Sequence, residues 1–202
     1  MLFRSPFLLV VNPSLPVKSM SDLVKYAKQN PGRLSYASGG PGSPHHLFTE
    51  MLKSMTGLEL LHVPYKGSAQ IATDLIGGHI DAAIDGITGL TPHIRSGKLK
   101  LLGITNPTRV PEFDAPAIAE SLPGYDSRGW FGFLGPANMP RDVVTLLNQE
   151  INRAILLPDV KEKLVGAGLI IVTEPPEFFT NLIKSDYAKY GKLIKDIKFQ
   201  PQ

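Results

Sequence analysis

The 202-residue sequence contains no cysteine. That absence removes disulfides, thiol nucleophiles and cysteine-ligated zinc or iron–sulfur centres from consideration. Charge is scarce, with Asp, Glu, Lys and Arg at 19%, below the usual share for a globular chain. Aromatic residues reach only 8%, with a single tryptophan. Long hydrophobic runs are also missing. The longest near the start, residues 6–11, is too short to span a bilayer or to serve as the core of a signal peptide. The expectation is therefore a cytosolic chain, or one whose export segment is not part of this sequence.

Hydrophobic residues make up 43%, too many for a disordered chain. The net charge of +3 comes entirely from the end of the chain, where Lys184, Lys189, Lys192, Lys195 and Lys198 face only Asp186 and Asp196. A basic tail without interleaved aromatics is not a nucleic-acid footprint. Glycine (19) and proline (18) are abundant and announce many turns.

Apolar spacing and turn residues predict alternating strands and helices. Phe7 to Val11 is a continuous apolar run, the pattern of a strand buried on both faces. Ser19 and Asp22 open a helix that ends at Asn30-Pro31-Gly32. A strand over 34–37 leads into Ser38-Gly39-Gly40-Pro41-Gly42-Ser43. Ser43-Pro44 then starts a helix that stops at Gly57. Strands over 60–63, 80–84 and 99–105 alternate with helices after Ser68 and Gly86. This order predicts a mostly parallel sheet covered on both faces, with ligands bound beyond the carboxyl ends of the strands. Residues 106–125 form a proline-rich connection. Beyond Arg128 the texture changes to a strand over 129–134, helices over 140–157, 158–166 and 175–192, and one strand near 169–172.

Three strand ends supply the candidate site. In Ser38, Gly39, Gly40, Gly42 and Ser43 the glycines let successive N–H groups turn toward one point. The helix that follows adds its partial positive charge, which suits a carboxylate or phosphate. The blander alternative is a tight connection with no ligand. Tyr65, Lys66, Gly67 and Ser68 open another helix at the same edge, and Asp85 ends a strand before Gly86. Each taken alone reads as well as a turn or a cap. His46, one turn into its helix, is placed to donate to a bound carboxylate or to sit on the helix surface. The loop lacks the lysine of a Walker motif and does not match GxGxxG. No histidine pattern has metal-ligand spacing, and GxSxG is absent, so no metal, cofactor or catalytic residue is expected.

The motifs carry a resemblance. Residues 38–47, then His62-Val63-Pro64-Tyr65-Lys66-Gly67, Gly78-His79-Ile80-Asp81, Pro92-His93-Ile94-Arg95-Ser96-Gly97-Lys98, Leu122-Pro123-Gly124-Tyr125 and Trp130-Phe131-Gly132 resemble the substrate receptors of tripartite tricarboxylate transporters, the Bug-type receptors. The resemblance runs from about Ser5 to Ile197. It implies an α/β fold of the type II periplasmic-binding-protein kind and a periplasmic location. It also implies binding of a small organic carboxylate, often a di- or tricarboxylate, and cooperation with the membrane components of a tripartite transporter. Catalysis is not implied. Against the family pattern, residues 6–130 match one nearly complete doubly wound lobe. Residues 131–202 match the mostly helical C-terminal part of the other lobe, whose N-terminal strands are absent, so the chain reads as N-terminally truncated.

Two other readings stay open. One is a stand-alone flavodoxin-like domain that binds a phosphorylated ligand. The other is a fragment acting mainly by self-association, as a homodimer through residues 136–202. Apolar residues such as Val144, Leu147, Ile151, Ile155, Leu164, Phe178, Leu182 and Ile183 would leave a patch beyond the ~300–600 Å² usual for a monomer.

Overall fold

In the computed structural model, residues 3–111 and 113–199 are described. The elements in chain order are β1 (Phe3–Ser5), β2 (Phe7–Val11), α1 (Met20–Gln29), β3 (Ser35–Ser38), α2 (Pro44–Thr56), β4 (Leu61–Pro64), α3 (Ser68–Gly77) and β5 (Ala82–Gly86). They continue with α4 (Ile87–Arg95), β6 (Lys100–Ile104), α5 (Ile118–Ser121), β7 (Gly129–Phe131), α6 (Arg141–Ile155), α7 (Pro158–Gly166), β8 (Ile170–Ile171) and α8 (Pro176–Asp196).

Local chemistry places the starts of α1 and α2 and the end of α2. Ser19 caps α1 by accepting from the Asp22 amide at 3.1 Å. Ser43 caps α2, Pro44 sits in its first turn, and Gly57 closes it in the left-handed conformation at φ 69°.

The chain divides into two units. Residues 6–128 and 193–199 form the larger one, and residues 3–5 and 129–192 the smaller. The sequence expectation put a single boundary near 130. The strand β1 pairs antiparallel with β7 and with β8, which ties the start of the chain to the smaller unit. The last residues cluster instead with the larger unit. Sequence gave no sign of β1, because three residues are too few to show alternation.

The larger unit is built on a five-stranded sheet in the order β4-β3-β5-β2-β6. Strands β3, β4 and β5 are mutually parallel. Strand β2 runs antiparallel to both β5 and β6, so β6 points the same way as the other three. The expectation of a mostly parallel sheet is met by four strands. The flavodoxin-like alternative is not met, because that fold has a parallel sheet whereas here a reversed strand lies between β5 and β6. All five residues of β2 are buried, as are Tyr36, Ala37, Ile84 and Leu102 on its neighbours. Strand β5 starts and ends two residues later than its apolar run suggested, because the backbone of Asp85 pairs with Leu8 and that of Gly86 with Phe7.

Candidate ligand-binding edge

Strands β3, β4 and β5 are parallel, so their carboxyl ends lie on one edge of the sheet. A helix leaves each of those ends: α2 after the 38–43 loop, α3 at Ser68 and α4 at Ile87. Three helix N-termini, each with partial positive charge, therefore share one edge, and those of α3 and α4 lack a side-chain cap. The reversed strand β2 begins there as well. The Phe7 amide donates to the Thr105 hydroxyl at 3.3 Å, and the Thr105 amide donates to the Phe7 carbonyl at 3.0 Å. The Ser127 amide donates to the Thr105 carbonyl at 3.2 Å.

Asp85 is the pivot of the edge. It is 1% exposed, and its Oδ1 accepts from the Ser68 hydroxyl at 2.9 Å and the Gly86 amide at 2.6 Å. The same oxygen lies 2.7 Å from Nε2 of His45. A carboxylate oxygen can only accept, so that imidazole nitrogen carries the proton. One carboxylate thereby joins β5 to the first turns of α2 and α3. Oδ2 of Asp85 and Nδ1 of His45 are buried without a hydrogen-bond partner among the described residues. His45 was not singled out in the sequence. The signal available was indirect: a buried strand-end aspartate needs a donor.

The glycine loop is held differently from the sequence expectation. Gly40 (φ 98°) and Gly42 (φ 78°) occupy backbone conformations that side chains disfavour, which lets the loop fold tightly over Ser38. In that turn the Gly40 amide donates to the Ser38 hydroxyl at 3.0 Å, and the Ser43 amide to the Gly40 carbonyl at 3.2 Å. The Gly42 amide donates to Nδ1 of His46 at 3.3 Å. These three N–H groups are satisfied within the fold rather than turned toward a common point. Gly39 is exposed, and a Cβ there would come within 3.1 Å of His45 Nδ1. The hydroxyl of Ser43 donates to the Gly40 carbonyl at 2.7 Å and accepts from the His46 amide at 3.3 Å.

His46 is neither an exposed donor nor a surface residue. It is 6% exposed, its ring centroid lies 4.5 Å from that of His62, and Phe199 packs against it at 5.4 Å. Burial is the main cause that lowers the pKa of both histidines from the ordinary 6.5; for His62 the neighbouring His46 lowers it further. His62 Nε2 lies 2.6 Å from the Ser38 hydroxyl. Tyr65 joins the edge through its backbone, whose amide donates to the Ser38 carbonyl at 2.8 Å. Its phenol turns to Asp74 at 2.7 Å, and its pKa is pushed up to about 12 by burial and by that carboxylate. Lys66 and Gly67 are exposed on the turn, and Gly67 caps α3 without any side-chain hydrogen bond. Gly86 caps α4 in the same bare way. The open donors at this edge are therefore the first-turn amides of α3 and α4 rather than those of the glycine loop. Among the described residues no group of three His, Cys, Asp or Glu is placed to hold a metal. Nor is any helix among them long and apolar enough to cross a membrane.

Known proteins match this arrangement over the whole chain. A match to the tripartite tricarboxylate transporter family receptor covers residues 1–199. The chain belongs to that receptor family. Its members are solute receptors rather than enzymes, and its fold is the α/β periplasmic-binding-protein fold. A relative from Pseudomonas sp. (strain P51), a UPF0065 protein in the tcbD-tcbE intergenic region, is 39% identical over 96% of this chain and 58% of its own length. The solved structure of R. palustris Rpa4515 with adipate shares 34% identity at a TM-score of 0.88, over 100% of this chain and 68% of that one. That of the periplasmic binding protein BugD shares 29% at a TM-score of 0.86, over 100% and 69%. The chain thus spans somewhat over half the length of the first curated relative.

Proposed function

We propose that the larger unit carries the carboxylate-binding edge of an extracytoplasmic receptor, one that hands a small di- or tricarboxylate to the membrane components of a tripartite transporter. The observation that carries this reading is the meeting of three helix N-termini at one sheet edge, two of them with no side-chain cap. Backbone N–H donors without a side-chain cap and the Ser68 hydroxyl lie at that edge, which suits a carboxylate. Adipate in the R. palustris relative has the matching chemistry. On this reading Ser38, Gly39, Gly40, Gly42, Ser43 and His46 shape the floor of the site. Tyr65, Lys66, Gly67, Ser68 and Asp85 supply its wall and the open first turn of α3. The larger unit would be one lobe of the receptor and the smaller unit part of the other, and the periplasmic location follows from the same family membership.

Thermal unfolding with adipate, citrate, inorganic phosphate and nucleotides tests the proposal. A carboxylate at a hundred times its Kd should stabilise the chain by about 2.7 kcal/mol. Stabilisation by phosphate or nucleotides alone, or by none of the four, overturns it.

A second copy of the chain is part of the same reading. Within residues 136–202, Leu146 (57% exposed), Leu147 (45%) and Leu157 (48%) leave apolar surface that a partner would cover, whereas Ile155, expected in that patch, is buried (8%). Light scattering should show mass rising with concentration. A monomer at every concentration removes the dimer and leaves the binding proposal standing.

A further inference from the structure

Behind the glycine loop lies a stack of rings, with Tyr36 and His46 buried and His62 and Phe199 half-buried, that ligand binding alone does not require. The rings of Tyr36 and His62 stack with centroids 4.9 Å apart, those of His62 and His46 lie 4.5 Å apart, and the Phe199 ring lies 5.4 Å from that of His46. Both histidines reach forward to the loop. Nδ1 of His46 takes the Gly42 amide, and Nε2 of His62 meets the Ser38 hydroxyl, which itself holds the Gly40 amide.

We propose that His46 and His62 form a proton-operated latch on loop 38–43: the neutral rings hold the loop, and protonation of His46 releases it. Nδ1 can accept the Gly42 N–H only through its lone pair. A proton there sets a donor against a donor, and that bond is lost. Release of Gly42 frees the residue that carries the chain into Ser43 and the first turn of α2. Loop geometry, and with it the sheet edge read above as the carboxylate site, then depends on pH. His46 and His62 are positioning residues in this scheme, since neither is argued to touch the ligand.

The groups that face the pair decide how readily it titrates. On α2, Glu50 Oε1 lies 4.0 Å from His46 Nε2 and favours its proton, while Lys53, paired with the same carboxylate, opposes it. From β3, Tyr36 stacks on His62 and donates its hydroxyl to Glu50 at 2.6 Å. From β4 comes His62 itself, on which a proton is opposed by burial and by the His46 ring. The C-terminal segment contributes the apolar ring of Phe199, with Lys198 beside it in sequence. His45, the next residue on α2, is held separately by Asp85. Burial and the second imidazole oppose protonation of the pair, so the latch opens only in acid.

The test follows the Gly42 amide by NMR in the ligand-free chain from about pH 8 to about pH 5, the range in which histidines titrate. The Gly42 resonance should titrate together with the His46 ring. Its hydrogen exchange, corrected for the intrinsic rate, should speed up as the ring takes its proton. His46→Asn keeps an acceptor at the Nδ1 position but cannot titrate, so its Gly42 amide should stay fixed. His62→Gln keeps a polar atom at the Nε2 position for Ser38 and leaves the His46 ring in place, so the Gly42 amide should still titrate. A purely structural role for either ring moves neither readout. Adipate affinity should fall roughly tenfold across the same range in the native chain, about the worth of one hydrogen bond, and stay level in His46→Asn. A Gly42 amide that does not titrate, or that titrates equally in His46→Asn, overturns the latch. Because that readout is taken without ligand, it decides the latch whether or not adipate binds.

Discussion

The two units of this chain bury their side chains to very different degrees. In the larger one a central strand is buried along its whole length, and fully covered residues extend from Leu8 through Tyr36, Ile71 and Leu90 to Tyr125. In the smaller one the strands are two or three residues long, and among the described residues only Ile155 and Phe179 are buried hydrophobics. Helix α6 shows the same contrast in one element, with Ile155 at 8% exposure but Leu146 at 57% and Leu147 at 45%. Amphipathic helices are therefore not enough to make a core. A helix buries its apolar stripe only against a surface wide enough to cover it, and five paired strands offer that surface where three short ones do not.

The sharpest way to break this comparison is by large-to-small substitution. Leu8→Ala, at a site with no exposure, should cost about 2–5 kcal/mol in urea unfolding. Leu146→Ala should cost less than about 0.5 kcal/mol. Equal losses would mean that the smaller unit is packed as tightly as the larger. Asp85→Ala comes next in size. It strips a common acceptor from Ser68, Gly86 and His45 and should cost roughly 1–3 kcal/mol per donor left buried without a partner. If Asp85→Ala unfolds with the native midpoint, the link between β5, α2 and α3 carries no stability.

Acid should act on the larger unit more gently. His46 and His62 have folded pKa values below the ordinary 6.5, so between those values the unfolded chain binds more protons than the folded one. The stability they contribute is complete above about pH 6.5 and is lost as the pH falls toward their folded values. The urea midpoint should drop over that window, and less steeply in His46→Asn. An unchanged slope in that variant would assign the acid loss to other groups. At the small end, Arg109→Ala removes an exposed pair with Glu120 on the 106–117 connection. Solvent screens that pair, and the melting temperature should not move measurably. A clear drop would show that this connection supports the core above it.

Much of the candidate edge was legible in the residues. Gly-rich or polar turns directly after apolar runs marked the loop at 38–43, the turn at 65–68 and Asp85, and parallel strands then brought those three ends together. Their partners were not legible. Between His45 and His46 nothing local says which one Asp85 will hold, since adjacent residues on a helix point about 100° apart and only the position of β5 chooses between them. The glycines likewise announced a tight loop, but where its amides point depends on His46 and on Ser38, whose hydroxyl is held in turn by His62 from a different strand.

What the sequence by itself determined is what lies within one turn or one strand. The caps at Ser19 and Ser43, the stop at Gly57, the buried run at Phe7 to Val11, and the ordered motifs that mark the receptor family are all of this kind. Tertiary structure decided what depends on residues far apart in the chain. It reversed β2 between β5 and β6, paired Phe7 with Thr105 across 98 positions and His45 with Asp85 across 40, and turned the amides of Gly40 and Gly42 inward. The reason is physical. Capping and hydrophobic periodicity act through neighbours whose geometry the backbone fixes. A buried polar group takes whichever donor the packed sheet brings within reach, and no local pattern encodes that choice.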